Sequence, residues 1–217
     1  MFKIIRGIKK LIILLITIVL VVSIAFVVMS AKYPIGYKTM IVKYSEMYEL
    51  DPYLIASIIN VESRYDKNAT SPKNARGLMQ IGPQTGEWAS QVLGIENYTE
   101  ELLFDPETNI SMGTWYISTL FKEFNGNLDL VLAAYNAGSG NVNKWLNDEE
   151  YCSDGANLST IPFKETEDYL EKVKKGYNIY STVYKRYIMN PNENDSFYIN
   201  LLHNIKRTFD EFIGSIR

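Results

Sequence analysis

The chain has 217 residues, 47% of them hydrophobic, with 22 Lys and Arg against 25 Asp and Glu and a net charge of −3 at pH 7. These values exclude a disordered or collagen-like chain and offer no basic surface for nucleic acid. One cysteine, Cys152, and one histidine, His203, exclude an internal disulfide framework and Cys-cluster or His-pair metal sites, and they leave little room for a Ser-His-Asp triad. The ligand clusters that a metal would need are missing, and no organic cofactor is implied.

Residues 1–10 carry Lys3, Arg6, Lys9 and Lys10 and no acid; residues 11–29 are uncharged, with only Thr17 and Ser23 polar. As a helix that run is about 28 Å long, close to a hydrocarbon core of ~30 Å. It is longer than the apolar part of a secretory signal. Met29 also fits poorly as the small residue of a cleavage site after Ala31. The expectation is an uncleaved single-pass anchor over 11–30, with a cleaved signal as the alternative. The basic flank keeps residues 1–10 in the cytoplasm and puts residues from 32 onward outside. That exterior part holds 18 basic residues (22 less the 4 near the N-terminus) and all 25 acidic ones, a net of −7. It is unlike a polybasic membrane-binding module.

Beyond the anchor, helical periods recur and strand-type alternation is almost absent. Tyr37–Leu50 reads as a helix. Asp51-Pro52 supplies an N-cap and a first-turn proline for a second helix to Glu62. A turn-rich loop runs from Ser71 to Gln80. Gly82-Pro83 opens a short helix to Val92, and Asp105-Pro106 caps a long one to Phe124, closed by Asn125-Gly126. Further helices are expected over Leu128–Tyr135, Val142–Leu146 and Glu165–Met189, with 147–164 as a loop. Pro191–Ser196 is a polar linker. Residues 197–216 place Phe197, Leu201, Ile205, Phe209, Phe212 and Ile216 on one helical stripe. The expected architecture is all-α: one compact domain over 32–190 and a C-terminal helical extension over 191–217. That extension could pack back, lie on the membrane or meet a protein partner. Tyr177, Tyr180, Tyr184 and Tyr187 read as packing residues, and Cys152 as a bystander.

Glu62 is the anomaly. It continues the apolar stripe of Leu54, Ile55, Ile58 and Ile59 instead of facing water. A buried carboxyl raises its pKa and keeps its proton, as a general acid must. Periodicity alone also allows a half-exposed Glu62 at the helix end, paired with Arg64 or Lys67. Tyr135-Asn136 before three small residues presents polar groups at a helix end, or else is a glycine C-cap with Tyr135 in the core.

Taken together, the blocks Val61-Glu62-Ser63, Ala75-Arg76-Gly77-Leu78-Met79-Gln80, Asp105-Pro106 with Asn109-Ile110 and Gly113, Ala134-Tyr135-Asn136-Ala137-Gly138, and Ile161-Pro162 with Glu165-Thr166 and Tyr169 resemble a known family. They occur in the order found in the catalytic domain of soluble lytic transglycosylases, which is similar in fold to goose-type lysozyme. The resemblance covers roughly Tyr37–Lys185 and implies a lysozyme-like fold, grouped with α+β proteins. It implies that peptidoglycan glycan strands are the substrate and that Glu62 is the catalytic acid and base. It further implies that Ser63, Met79, Gln80, Tyr135, Asn136, Glu165 and Tyr169 line or frame the substrate site, Glu165 in an orienting role. The expected reaction cuts the β-1,4 bond between N-acetylmuramic acid and N-acetylglucosamine without water, leaving 1,6-anhydromuramoyl ends. Asp66 is the nearest carboxylate in sequence for a hydrolytic alternative, but the helix is expected to end before it. A lysozyme-like muramidase and a non-catalytic wall-binding scaffold are the rival readings. Two departures stand out: Asn74 where many relatives have glycine, and Lys67 where proline is common. Asn tolerates the left-handed backbone that such a turn needs.

Overall fold

The computed structural model describes residues 2–184. Tyr187, the linker and the 197–216 stripe lie outside the described residues. The elements are α1 (Phe2–Lys32), α2 (Lys38–Met47), α3 (Pro52–Glu62), α4 (Pro83–Leu93), a 3-10 turn (Glu100–Phe104), α5 (Pro106–Glu123), α6 (Leu128–Ala137), α7 (Ser139–Leu146) and α8 (Lys164–Val183). No β-sheet is present among the described residues. Two isolated bridges, Thr70 with Arg76 and Arg76 with Ile81, fold the loop between α3 and α4.

The chain divides into two compact units between Gly36 and Tyr37. In the first, Ile5–Met29 is long and apolar enough to cross a membrane. Its 25 residues would span about 37 Å, more than a hydrocarbon core. Its apolar side chains are exposed apart from the half-buried Phe26 and Met29, as suits a membrane span better than a soluble core helix.

The second unit is built around α3. Asp51 caps it, accepting from the Tyr53 N–H at 2.8 Å, and Pro52 occupies the first turn. The periodicity of α3 suggested a single apolar stripe. In fact Tyr53 through Ile59 are all buried, so α3 is enclosed on every side. Helix α8 runs antiparallel along it. The Ser57 hydroxyl donates to the Val173 carbonyl at 2.7 Å, and Tyr177 donates to Asp51 at 2.7 Å. A Cβ at Gly176 would strike the Ser57 hydroxyl, so the glycine sets how closely the two helices approach. Tyr180 and Tyr184 are buried with ring centroids 5.5 Å apart, while Tyr177 is half-buried. Cys152 is buried under its loop and donates its thiol to Asp154 at 3.5 Å.

Helix α2 stops at Met47, short of the expected Leu50, and α8 ends at Val183, ahead of the expected Met189; the other boundaries follow the expected caps except around Gly138. Helix α6 continues to Ala137, and α7 starts at Ser139, three residues earlier than expected. Gly138, at φ +89, reverses the chain between them and serves as both C-cap and N-cap. The 3-10 turn at Glu100–Phe104 has no apolar period, so nothing periodic marks it in the sequence.

Candidate active site

Glu62 is the last helical residue of α3 and is half-buried. The helix stops there because Arg64 and Tyr65 both turn left-handed, at φ +52 and +66. Tyr65 folds back so that its hydroxyl donates to the Ala56 carbonyl at 3.2 Å. Burial pushes the Glu62 carboxyl up to about 7 from 4.5. Within that net shift the nearby Tyr169 hydroxyl opposes the rise and the Glu165 carboxylate adds to it. Neither Arg64 nor Lys67 acts on Glu62, so desolvation is not relieved by an ion pair. Asp66 lies past the end of the helix, exposed, accepting from the Asn68 N–H at 2.9 Å.

Tyr135 and Tyr169 flank the carboxyl from α6 and α8. Burial raises both phenols well above 10, and the Glu62 charge adds to this, so both stay protonated. The Tyr135 hydroxyl donates to the Met79 carbonyl at 2.8 Å. The Tyr169 hydroxyl is buried and faces Glu62 without a hydrogen bond of good geometry. It acts on the carboxyl through proximity.

The third wall is the loop Gly77–Gln80, pinned from three helices. Ser63 donates to the Leu78 carbonyl at 2.8 Å. Asn109, in the first turn of α5 and fully buried, accepts from the Met79 N–H at 2.7 Å and donates to the Arg76 and Leu103 carbonyls at 2.9 and 2.8 Å. Tyr135 completes the set. Gly77, at φ +76, lies so close that a Cβ would strike the Leu103 carbonyl and the Asn109 side chain. Gln80, at φ +48, donates to the Ala69 and Gly77 carbonyls at 3.1 and 3.0 Å. Arg76 bridges to Glu100 and Glu101 at 3.0 and 2.8 Å. Asn74 takes φ +61, the left-handed backbone for which asparagine substitutes for glycine here.

The structure therefore brings Glu62, Ser63, the Met79 backbone, Tyr135, Glu165 and Tyr169 to one place. The Met79 side chain is fully buried against Gly113, where any Cβ would collide with it. Met79 therefore reaches the site through its main chain. Asn136 accepts from Thr166 at 2.8 Å, tying the end of α6 to the first turn of α8 and setting the pitch of Glu165 and Tyr169. Glu165 itself is exposed. Two cavities of about 420 and 520 Å3 lie elsewhere, one beside Leu54, Phe121 and Tyr177, the other beside Met47, Leu93 and Glu107. Neither includes a candidate site residue.

The site thus sets a half-buried carboxyl with a raised pKa between two phenols, beside a loop whose main chain is held by side-chain hydrogen bonds. Residues 39–155 match the family described as Transglycosylase SLT domain. The soluble lytic murein transglycosylase of Escherichia coli (strain K12) is 34% identical over 147 residues, 67% of this chain and 23% of that protein. The membrane-bound lytic murein transglycosylase C of Actinobacillus pleuropneumoniae serotype 5b (strain L20) is 30% identical over 165 residues, 66% of this chain and 45% of that protein. Among solved structures, an inactive mutant of lytic transglycosylase Slt from Pseudomonas aeruginosa has 32% identity and a TM-score of 0.65, over 77% of this chain and 27% of that one. This chain belongs to the SLT-domain transglycosylase family. It spans about a quarter of the length of the E. coli relative.

Proposed function

We propose that the protein is a peptidoglycan lytic transglycosylase with Glu62 as its single acid and base. The observation that carries the reading is the Glu62 carboxyl, half-buried between Tyr135 and Tyr169 without a cationic partner, with its pKa pushed up to about 7. Near neutral pH such a group exists in both forms, and the reaction uses both. The acid protonates the glycosidic oxygen as the bond to the muramoyl C1 breaks. The resulting carboxylate then takes the proton of the C6 hydroxyl as its oxygen closes onto C1. Atoms balance without water, and Glu62 ends protonated. A glycosidase with two carboxylates would need its second group about 5–5.5 Å away for retention or 6.5–9.5 Å for inversion. Asp66 is turned into its own loop, and Glu165 acts on Glu62 from an exposed position.

In this reading Ser63, Gln80 and Asn136 hold the loop and helix ends that frame the sugar, and Tyr135 and Tyr169 enclose the reacting carboxyl and restrict water. The basic N-terminus stays cytoplasmic, α1 crosses the membrane, and the catalytic unit faces the wall. Mass analysis of products released from purified walls tests the reaction. Muramoyl ends lighter by one water than reducing ends are expected; reducing ends alone would make the enzyme a muramidase.

A further inference from the structure

The aromatic row that starts at Glu62 continues past Tyr135. The Tyr116 ring, on α5, lies 5.6 Å from that of Tyr135, tilted by 39°. The Trp88 indole, on α4, lies 6.2 Å from Tyr116 and 4.7 Å from Trp115, edge-on to both. Tyr135 and Tyr116 are half-buried, and the row opens only at its far end. Trp115 is 9% exposed and Trp88 is 43% exposed. Trp88 is thus held by two rings while much of its surface stays open.

Packing alone does not account for that arrangement. An indole left this open forgoes much of the burial energy a tryptophan can gain. Yet its contacts with two rings fix its orientation, so a ligand that stacks on it meets a preorganised surface. An aromatic face suits the apolar C–H face of a pyranose ring, and the polar rim of such a sugar stays in water. The row is continuous with the candidate acid, which identifies the occupant as another part of the same strand.

We infer that Trp88 is an outer platform for the glycan strand, stacking on a saccharide unit away from the bond cut at Glu62. This rests on the function proposed above and adds to it the residue that favours long strands over short fragments. Trp88 contributes binding that is the same in the ground and transition states, so its loss acts on KM and leaves kcat alone.

The test uses the full chain in detergent, with long glycan strands and the shortest fragment the wild type cleaves. Trp88→Ala should raise KM for long strands roughly three- to tenfold, the size of one aromatic stacking contact. It should leave kcat and the short fragment unchanged, and Trp88→Phe should recover most of the loss. Unchanged KM on long strands overturns the proposal. So does an equal loss on both substrates with a lowered melting temperature that Phe does not rescue, which would mark Trp88 as a packing residue. Calorimetric binding of long strands to Glu62→Gln, with and without Trp88→Ala, reads the platform without turnover. It therefore decides the inference even if the wild type releases no anhydro ends and the proposed reaction fails.

Discussion

Glu62→Gln is expected to lower wall-cleaving activity by about 10³-fold, the scale of a lost general acid and base, while leaving the fold intact. It is also expected to stabilise the protein above neutrality. The carboxyl has a pKa of about 7 in the folded chain against 4.5 when free. The folded state therefore holds this proton more tightly than the unfolded chain. The stability this gives is fully present below pH 4.5 and is lost as pH rises through 7. Above that, the buried charge costs up to roughly 3 kcal/mol, which the neutral amide avoids. Melting curves at pH 8 should place Glu62→Gln above the wild type, and the gap should close towards pH 4.5. Retained activity, or parallel curves with no closing gap, would remove Glu62 from its role.

Asn109→Leu is expected to cost roughly 3 kcal/mol or more and most of the activity. The substitution preserves volume but leaves the Met79 N–H and the Leu103 carbonyl without their Asn109 partner, while the Arg76 carbonyl loses one of its two donors and still accepts from the Ile81 N–H at 3.0 Å. Each buried backbone group left unpaired costs about 1–3 kcal/mol. Activity should fall because Met79 anchors the Tyr135 hydroxyl, which stands beside the acid. Amide exchange should quicken at Leu78, Met79 and Gln80 while the α3 core stays protected. Unchanged exchange in that loop would show that Asn109 does not hold it.

These two residues differ in how they could be read from sequence. Glu62 was visible because a carboxylate on an apolar stripe breaks a local rule, and the stripe is encoded within one helix. Its lack of an ion pair with Arg64 or Lys67 was not visible, since that depends on the left-handed turn at Arg64 and Tyr65. The helices were legible from their caps. Asp51-Pro52 and Asp105-Pro106 bind the first-turn amides as their residue types require. Gly138 reads in the sequence as a stop, although its backbone also allows a restart.

Asn109 stood in a recognised block, but its three hydrogen bonds reach across 6 to 33 residues of chain. No local pattern announces such a hub. Met79 shows the reverse problem. A side chain beside a glycine-rich loop looks available, but the packing against Gly113 consumes it and leaves only its main chain at the site. Trp88 gave no signal in the sequence beyond being one of three tryptophans. Its meaning comes from the rings of another helix.

The decisive measurement is a carbon-13 NMR titration of the Glu62 carboxyl in the full chain, assigned by loss of the signal in Glu62→Gln. A midpoint of about 7 is predicted from its burial beside Tyr135, Tyr169 and Glu165. A midpoint at the ordinary 4.5 would mean a hydrated carboxylate with no proton to give at neutral pH, and the proposed chemistry would have no acid.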